Sequence, residues 1–305
     1  MNLPETHKGV AFAFLTAIFS GCAIFVNGFV VRAIGDPLVF TTLKNSLVAV
    51  LLFLWLLSLR KIHLFSKTTL KEKAQLFLVG VIGGAVPFYL FFTALSKMPA
   101  INASLIHKTL VFWVAFFAIF FLREKLSPRQ CVALVLLFVS NFFIGGFKGF
   151  QFSEWELYVF AATILWAIEN VIAKKALKTL DADLVSFSRM GMGSLMLLTF
   201  VGVSGKIPLL FSLTAPQFLM IGVTVLFLTG YVLTWYKALS YAPATLVTTV
   251  LVFGSVVTNV LTVISQGIHM SLPVFSQTVF TLAGIWFFFH SFPRLNKKRE
   301  KLTYQ

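Results

Sequence analysis

The sequence predicts an all-α integral membrane protein in which ten transmembrane helices form two inverted five-helix repeats around a central cavity. Three observations support this prediction. The composition suits a chain that is surrounded by lipid, ten apolar runs are each long enough to cross a bilayer, and one short phrase occurs twice, separated by an odd number of these runs.

Composition identifies the surroundings of the chain. Of 305 residues, 58% are hydrophobic and only 11% are charged, and the mean hydropathy is +0.92, whereas about a quarter of the residues of an average soluble domain are charged. The net charge of +15 would suit nucleic acid, but the basic residues are scattered through short connections and do not line one face. We therefore expect the lipid bilayer, and no nucleic acid, as a partner.

Each apolar run is predicted to be one α-helix, because about 20 residues are needed to cross ~30 Å of hydrocarbon and a helix satisfies its own backbone hydrogen bonds there. The runs are continuous and do not alternate every second residue, which favours helices over a β-barrel. The first run has no small-residue cleavage signature and is predicted to be helix one. The predicted spans are 9–31, 38–59, 74–96, 100–122, 130–148, 155–175, 184–204, 216–238, 243–265 and 272–292.

The distribution of Lys and Arg predicts that both termini are cytoplasmic, because cytoplasmic loops carry an excess of these residues. With that orientation, most of the 25 Lys and Arg residues lie on the cytoplasmic side. The connections on the other side contain only Arg32, Lys97, Lys148 and Lys206. The basic tail 294–305 is interpreted as a topology anchor, with contact to anionic lipid headgroups as the alternative.

A repeated phrase divides the chain into two halves. The stretch FFTALSKMPA at 91–100 recurs as WYKALSYAPA at 235–244, and each copy joins two helices, the third to the fourth and the eighth to the ninth. Five helices separate the copies. Because five is odd, the second copy enters the membrane in the opposite sense, and the two halves are predicted to form an inverted repeat.

A second match supports the repeat. Lys44 in helix two and Arg189 in helix seven lie 145 residues apart, and each follows a hydroxyl residue by three positions, Thr41 and Ser186. Inverted repeats can exchange conformations so that a central site opens first to one side and then to the other, which indicates transport. The predicted units are a first repeat at 1–150, a second repeat at 151–293 and the tail at 294–305.

Several stretches resemble a known family. The five-plus-five arrangement, the ALS turn with Pro, FLREKLSPRQ at the end of helix four and ILWAIEN in helix six resemble the EamA branch of the drug/metabolite transporter superfamily over nearly the whole chain. The resemblance implies a secondary transporter of small metabolites, often amino acids, in the cytoplasmic (inner) membrane. In the family pattern the fourth helix of each half often ends in a Glu, but this chain has Glu124 in the first half and Ile268 in the second. Glu124 is therefore predicted to serve a turn.

The candidate substrate-binding residues are ionisable side chains in the middle of predicted spans, because a charge at the bilayer centre costs at least ~2.5 to 3.5 kcal/mol. They are Lys44, His107, Lys108, Glu169 and Arg189. Helical spacing places Ser104 on the stripe of Lys108, and it places Trp166 on the stripe that carries Glu169. A ring with a carboxylate suits a cationic amine, and the basic side chains suit a carboxylate or phosphate. Together they predict a zwitterionic, amino-acid-like substrate, with Arg189 as the better anion anchor because it can bind a carboxylate at two points.

Each of these residues also has a structural interpretation. Glu169 could instead only neutralise Lys108 or Arg189 and hold the bundle together, because buried charges are usually paired. Lys44 could hydrogen-bond helix-end carbonyls. His107 could carry a coupling proton, or it could bond a neighbouring hydroxyl.

Further residues are predicted to shape the cavity. Helix three contains GVIGGAVPFY, whose glycines and proline allow close helix approach and a bend. Helix eight contributes Tyr231 and Trp235, which form an aromatic wall suited to a flat ring or, alternatively, pack against lipid. In helix nine, Ser255 and Asn259 belong to a polar stripe that is predicted to line the interior.

The motifs favour a carrier over other classes. The sequence has no HExxH motif and no GxxxxGK[ST] motif, so we expect neither a metal or other cofactor, nor an enzyme, nor direct use of ATP. The alternative substrates are a nucleoside-bearing metabolite, such as S-adenosylmethionine, or organic cations. A channel or an intramembrane enzyme fits less well.

Overall fold

A computed structural model describes residues 3–95, 97–98, 100–140, 149, 152–267 and 270–290. All regular structure in these ranges is helical. The α-helices are α1 (Leu3–Ile34), α2 (Pro37–Ser58), α3 (Leu70–Leu78), α4 (Val86–Leu95), α5 (Ala100–Lys108), α6 (Leu110–Phe117), α7 (Pro128–Ser140), α8 (Glu154–Ala176), α9 (Ala182–Val203), α10 (Ala215–Tyr241), α11 (Ala244–Leu251), α12 (Gly254–Gln266) and α13 (Leu272–His290).

The predicted ten-span architecture is confirmed. Within the described residues, nine helical stretches are long and apolar enough to cross a membrane, and α7 is a shorter apolar helix. The remainder of the predicted fifth span, 141–148, lies outside the described residues, as do the basic tail and Ser96 and Pro99 of the first repeated phrase. The first and third spans begin earlier than predicted, at Leu3 and Leu70, because polar helix turns extend beyond the apolar runs.

Equivalent helices of the two halves make equivalent packing contacts. In the first half α1 packs against α10, and in the second half the corresponding helix, α8, packs against α3 and α4. The equivalent helices α2 and α9 pack against each other, as do α7 and α13. This pairing is that of two inverted five-helix repeats, and it brings the middle of each half to a shared core.

The helices α2 and α9 begin in the same way. The side chain of Asp36 accepts hydrogen bonds from the N–H groups of Leu38 and Val39, at 2.9 and 3.1 Å. The side chain of Asp181 accepts one from the N–H of Asp183, at 2.9 Å. An aspartate before the first turn satisfies backbone donors that the helix itself cannot pair, so both residues are N-caps.

The third span departs from a regular α-helix at the glycines before Pro87, where the sequence predicts a bend. Between α3 and α4 the chain forms π-helical turns at Val79–Ala85. A Cβ atom on Gly84 would lie only 2.1 Å from the carbonyl oxygen of Arg189, and one on Gly193 would lie 2.6 Å from the backbone of Gly84. The third span and α9 therefore touch backbone to backbone, which only glycine allows at these positions.

Spans four and nine are not the single helices that the sequence predicts. Span four breaks at Thr109, and span nine breaks at Val252 and Phe253. The Thr109 N–H donates to Ile106 O, and the Phe253 N–H donates to Val250 O, so each helix tightens by one residue at its break. Both breaks occur within apolar runs, where composition gives no sign of them, and Thr109 and Phe253 are related by the 144-residue spacing of the repeated phrase.

The two ends of the bundle carry different charged residues. Glu5, Lys61 and Asp183 line one crevice, and we call this end the N-terminal face. Asp36 and Lys206 contact each other at the other end, which we call the opposite face.

Candidate functional site

Glu169 lies in α8 with only 1% of its surface exposed. The hydroxyl of Tyr236, in α10, donates to Glu169 Oε1. The second carboxylate oxygen, Oε2, has no hydrogen-bond partner among the described residues. Glu169 therefore keeps one carboxylate oxygen that can still accept a hydrogen bond. Burial of such an oxygen without a partner is costly.

Arg189 approaches the same cluster from α9 and is 4% exposed. Its Nε and Nη2 atoms both donate to Gly83 O, at 3.3 Å. The guanidinium carbon lies 5.9 Å from the ring centroids of Phe88 and Tyr236. Within the described part of the chain, Arg189 and Glu169 form no direct ion pair, although their charges interact at longer range. The simple ion pair considered from the sequence is therefore replaced by an arrangement that includes Tyr236.

The carbonyl of Gly83 organises this cluster. It accepts from Trp166 Nε1, at 3.1 Å, in addition to Arg189. In a regular α-helix this oxygen would accept from residue 87, but Pro87 has no N–H. The missing side chain also matters, because a Cβ atom on Gly83 would lie 2.5 Å from Cγ of Glu169. The sequence GGAVP therefore frees a carbonyl and leaves room for Glu169.

Lys44 is buried in an aromatic box formed by Phe40, Phe88 and Phe92. Only 2% of Lys44 is exposed, and its Nζ atom lies 4.5, 5.7 and 4.9 Å from the three ring centroids, respectively. Ring faces attract a cation, but they do not neutralise it. No carboxylate in the described ranges pairs with this ammonium group, and it does not show the bond to helix-end carbonyls that we considered.

The aromatic box and the Arg189 cluster are related by the repeat. Lys44 corresponds to Arg189, and Phe92 corresponds to Tyr236 at the spacing of the repeated phrase. Phe88 lies within 6 Å of both cations. Tyr236 is not among the residues predicted from the sequence, although its equivalence to Phe92, 144 residues earlier, could have identified it.

Trp166 lies between the Glu169 cluster and span four. Its ring centroid lies 4.9 Å from that of His107 and 5.6 Å from that of Phe91. His107 Nδ1 has no hydrogen-bond partner among the described residues, so the hydroxyl partner considered from the sequence is not found at that nitrogen. Trp166 and Glu169 face the same core, as their helical spacing predicts.

Lys108 and Ser255 line a cavity of about 90 Å³ beside this core. The cavity lies at the breaks in spans four and nine, and α1 closes its third side. Its lining residues are Ser20, Ile24, His107, Lys108, Leu110, Val111, Thr248, Leu251, Val252, Gly254 and Ser255. Ser104 lies on α5, and its side chain is outside what the structure describes.

Tyr231 and Trp235 form the predicted aromatic pair. Their rings stack at a centroid distance of 5.8 Å and an interplanar angle of 10°. Trp235 is 1% exposed, so its ring packs inside the protein and does not face lipid. Its Nε1 donor lacks a partner in the described part of the chain.

The assignment of Asn259 to the lining of the interior stays a prediction, and the structure shows a buried partner for its side chain. Asn259 Nδ2 donates to Gln277 Oε1, at 2.9 Å, and joins α12 to α13. Among the described side chains of the polar stripe, Thr248 and Ser255, which lie near the break, line the cavity. The stripe is broad because an amide in a membrane helix also has to satisfy its hydrogen bonds against a neighbouring helix.

Glu124 holds a turn, as the sequence predicts. Its carboxylate accepts from the N–H groups of Ala244 and Thr245, at 2.7 and 3.2 Å, and from Thr245 Oγ1, at 2.8 Å. It thereby caps α11 from the other half of the chain. Next to it, Lys174 Nζ donates to Ala242 O, at 2.8 Å, so the turn between α10 and α11 is held from both sides.

Apolar helices in two exchangeable halves, with ionisable side chains buried where the halves meet, define an integral multi-pass membrane transporter. The EamA-like transporter family model matches residues 7–146 and again residues 153–290, and the chain belongs to this family, within the drug/metabolite transporter superfamily. No curated protein is significantly similar to the chain in sequence. A solved structure, described only as the crystal structure of a protein, superposes with a TM-score of 0.73 over 92% of this chain and 96% of that chain; at 14% identity it supports the fold alone.

Proposed function

We propose that the protein is a secondary carrier that moves a small amino-acid-like zwitterion across the cytoplasmic membrane by alternating access. One observation carries the proposal. Where the two halves meet, the core holds a buried carboxylate oxygen without a donor, Glu169 Oε2, and a buried ammonium group without a counter-ion, that of Lys44, as judged over the described residues. An α-amino acid complements both, because its ammonium group donates to a carboxylate and its carboxylate accepts from an ammonium group.

Energetics favours a ligand over a purely structural role for these charges. A charge at mid-membrane costs at least ~2.5 to 3.5 kcal/mol, and structural charges usually recover that cost by pairing with each other. Arg189 is partly satisfied by Gly83 O and two ring faces, whereas Lys44 has ring faces only. We therefore assign the substrate carboxylate first to Lys44, with Arg189 beside it and Lys108 at the adjacent cavity.

The stacked pair Tyr231 and Trp235 supports an aromatic or heterocyclic portion on the substrate. A flat ring can stack on such a pair, and the free Nε1 donor of Trp235 can bind an acceptor atom of a heterocycle. The same feature keeps a nucleoside-bearing metabolite as the second candidate. Organic cations fit less well, because the site where the halves meet has two buried basic groups, Lys44 and Arg189, and one buried carboxylate, Glu169.

The membrane orientation and the energy source are inferred from sequence features. The excess of Lys and Arg supports a cytoplasmic N-terminal face and both termini in the cytoplasm. Without a nucleotide-binding motif, transport is driven by a solute gradient or by exchange. The net charge moved decides the effect of membrane potential, at ~2.3 kcal/mol per charge per 100 mV.

A thermal-shift screen of the purified protein identifies the substrate class. The panel contains amino acids, S-adenosylmethionine and other nucleoside metabolites, and organic cations. A ligand at 100 times its Kd stabilises the folded state by about 2.7 kcal/mol, which raises the melting temperature measurably. We expect an amino acid, most strongly an aromatic one, to give the largest shift. Stabilisation by organic cations alone would contradict the proposal, and stabilisation by nucleoside metabolites alone would favour the second candidate.

Uptake of the radiolabelled hit into proteoliposomes tests the assigned residues. Glu169→Gln should reduce uptake by at least tenfold, whereas Glu154→Gln, an exposed change on the same helix, should not. Arg189→Ala is also expected to abolish uptake while the protein stays folded. Normal uptake by both Glu169→Gln and Arg189→Ala would refute the proposal.

Lys44→Met separates binding from structure. Removal of an unpaired buried charge should leave the melting temperature of the unliganded protein unchanged or higher, while uptake falls at least tenfold. Lys71→Met, at an exposed position, is the control for charge removal and should change neither quantity. A Lys44→Met protein that is destabilised yet transports normally would show that Lys44 is structural.

A further inference from the structure

Two ion pairs lie at opposite ends of the bundle and are related by the internal repeat. At the opposite face Lys206 Nζ lies 2.6 Å from Asp36 Oδ2. At the N-terminal face Lys61 Nζ lies 2.8 Å from Asp181 Oδ2. Asp36 and Asp181 are 145 residues apart, and so are Lys61 and Lys206, which is the spacing that relates Lys44 to Arg189.

Each pair joins one half of the chain to the other at the end of the same two helices. Asp36 caps α2 and contacts the lysine that follows α9, whereas Asp181 caps α9 and contacts the lysine that follows α2. The helices α2 and α9 pack against each other, and the start of each lies beside the end of the other, so one pair closes each end of their contact. Lys44 and Arg189 lie on these same two helices, between the pairs.

Both pairs are placed where they can open. The side chains of Lys206 and Asp36 are 39% and 21% exposed, and those of Lys61 and Asp181 are 29% and 31% exposed. Partly exposed ion pairs contribute little to stability, because water competes for both charges. Water can therefore replace either pair when α2 and α9 separate at that end.

Among the described residues, the N-terminal face has additional charge contacts that are not found at the opposite face. Asp183, which is 4% exposed, lies 2.6 Å from Lys61 Nζ and 3.7 Å from Lys237 Nζ. The residue that corresponds to Asp183 in the first half is the apolar Leu38. The cluster at the N-terminal face is thus larger and more buried.

We propose that these two pairs are the alternating locks of the carrier: the Asp36–Lys206 pair breaks when the site opens to the opposite face, and the Lys61–Asp181 pair breaks when it opens to the N-terminal face. The inference rests on the proposed alternating access, but not on the identity of the substrate. The Lys61–Asp181 lock at the N-terminal face is strengthened by the extra carboxylate of Asp183. The protein without substrate therefore opens more readily to the opposite face.

The test measures access to the site without any substrate. In a protein with Cys22 and Cys131 replaced by alanine, Ser255→Cys introduces a thiol at the cavity beside the core. A membrane-impermeant maleimide is applied to reconstituted protein from one face or from the other, and the labelling rates are compared. Exposed thiols at Ser212→Cys, on the opposite face, and Ser66→Cys, on the N-terminal face, report intrinsic reagent access.

Asparagine substitutions isolate the ion pairs from the helix caps. Asp36→Asn and Asp181→Asn both keep a side-chain oxygen that can accept from the first turn, since Asn caps a helix as well as Asp does. We expect Asp36→Asn to raise labelling from the opposite face several-fold and to lower it from the N-terminal face. Asp181→Asn combined with Asp183→Asn should do the reverse.

Substitutions of Lys206 test the same pair without touching the cap of α2. Lys206→Gln should act like Asp36→Asn, whereas Lys206→Arg keeps the positive charge and should retain labelling near the original rates. Two results would overturn the proposal: changes at both ends that shift access in the same direction, or changes that shift it at neither end, which would make the pairs fixed clamps. If access shifts as expected while no amino acid is transported, the locks stand and the proposed substrate fails.

Discussion

At the scale of single residues, the arrangement depends on a tyrosine that holds one oxygen of a buried carboxylate and leaves the other free. Tyr236→Phe removes the donor to Glu169 Oε1 and leaves a second buried oxygen without a partner. We expect the free energy of unfolding to fall by about 1–3 kcal/mol. Thermal unfolding of the purified protein measures this loss.

The control for this change lies on the same helix. Tyr241 is 36% exposed, and Tyr241→Phe keeps the ring that stacks on Phe12, so its melting temperature should equal that of the unsubstituted protein. Equal stability of the Tyr236 and Tyr241 variants would mean that Glu169 does not depend on the hydroxyl.

The ionisable residues of the site could be predicted from the sequence, because a charge within an apolar run is costly and therefore conspicuous. Which of the basic residues is free to bind a carboxylate could not be predicted. Arg189 ranked above Lys44 on chemistry alone, but Arg189 is occupied by the carbonyl that Pro87 leaves without its α-helical donor. That occupation depends on how α9 meets the third span, which neither stretch specifies by itself. The hydrogen-bond partner of Asn259 could not be predicted for a similar reason, because that partner lies on another helix.

At the scale of elements, the contact between the third span and α9 depends on the absence of side chains. Gly84→Ala would bring a Cβ atom to 2.1 Å from the carbonyl oxygen of Arg189, so the two helices must separate. We expect a loss of roughly 1–3 kcal/mol of stability, as for other overpacked cores, together with loss of uptake. Denaturation of the reconstituted or detergent-solubilised protein measures the first effect.

Gly222→Ala is the matched control for this substitution. Gly222 is also in a membrane-spanning helix, but a Cβ atom there would meet nothing within 4 Å. Alanine is the better helix former, so this variant should be as stable as the original or slightly more stable. A Gly84→Ala protein that matched Gly222→Ala in stability and uptake would show that the close approach is unnecessary.

The helix cap and the ion pair at Asp36 predict how the Asp36–Lys206 lock, at the opposite face, responds to pH. Partial burial by itself would raise the pKa of Asp36, but the hydrogen bond and charge of Lys206 and the first-turn N–H groups hold that pKa below its ordinary value. A carboxyl group with a lowered pKa contributes stability above its unfolded pKa and loses it as pH falls through the folded pKa. The Asp36–Lys206 lock should therefore stay closed equally well from pH 8 to pH 5 and weaken only below about pH 4.

Labelling of Ser255→Cys from the opposite face checks this pH dependence, with each rate divided by that of Ser212→Cys to correct for the reagent. A constant ratio between pH 8 and pH 5 is expected. A ratio that rose several-fold across that range would show that the lock opens while Asp36 is still charged, and that another group controls it.

Element ends illustrate what the sequence could and could not provide. The span count came from run length alone, since lipid requires long apolar helices. The breaks in spans four and nine were missed because Thr109 and Phe253 change only which carbonyl the backbone bonds, and their hydropathy is that of any span. The aspartate caps of α2 and α9 were recognisable in principle as residues that precede an apolar run.

At the scale of the whole molecule, the repeat makes the two halves equivalent in packing, and a few residues make them different. The first half presents Lys44 to Phe92, and the second presents Arg189 to Tyr236 with Glu169 nearby. The sequence predicted the inverted repeat from two matches at nearly equal spacing. It could not predict which buried groups remain unpaired, because that depends on contacts across both halves.

In the proposed transport cycle, this site opens to one side at a time and binds its solute between openings. Counterflow in proteoliposomes tests it most directly: vesicles are loaded with the unlabelled amino acid found in the screen, and the labelled form is added outside at low concentration. A carrier predicts transient accumulation of label above its equilibrium level, which saturates with external solute and disappears in Glu169→Gln. A flux that rises linearly with concentration, with label that never accumulates above its equilibrium level, would rule out alternating access and indicate an open pore.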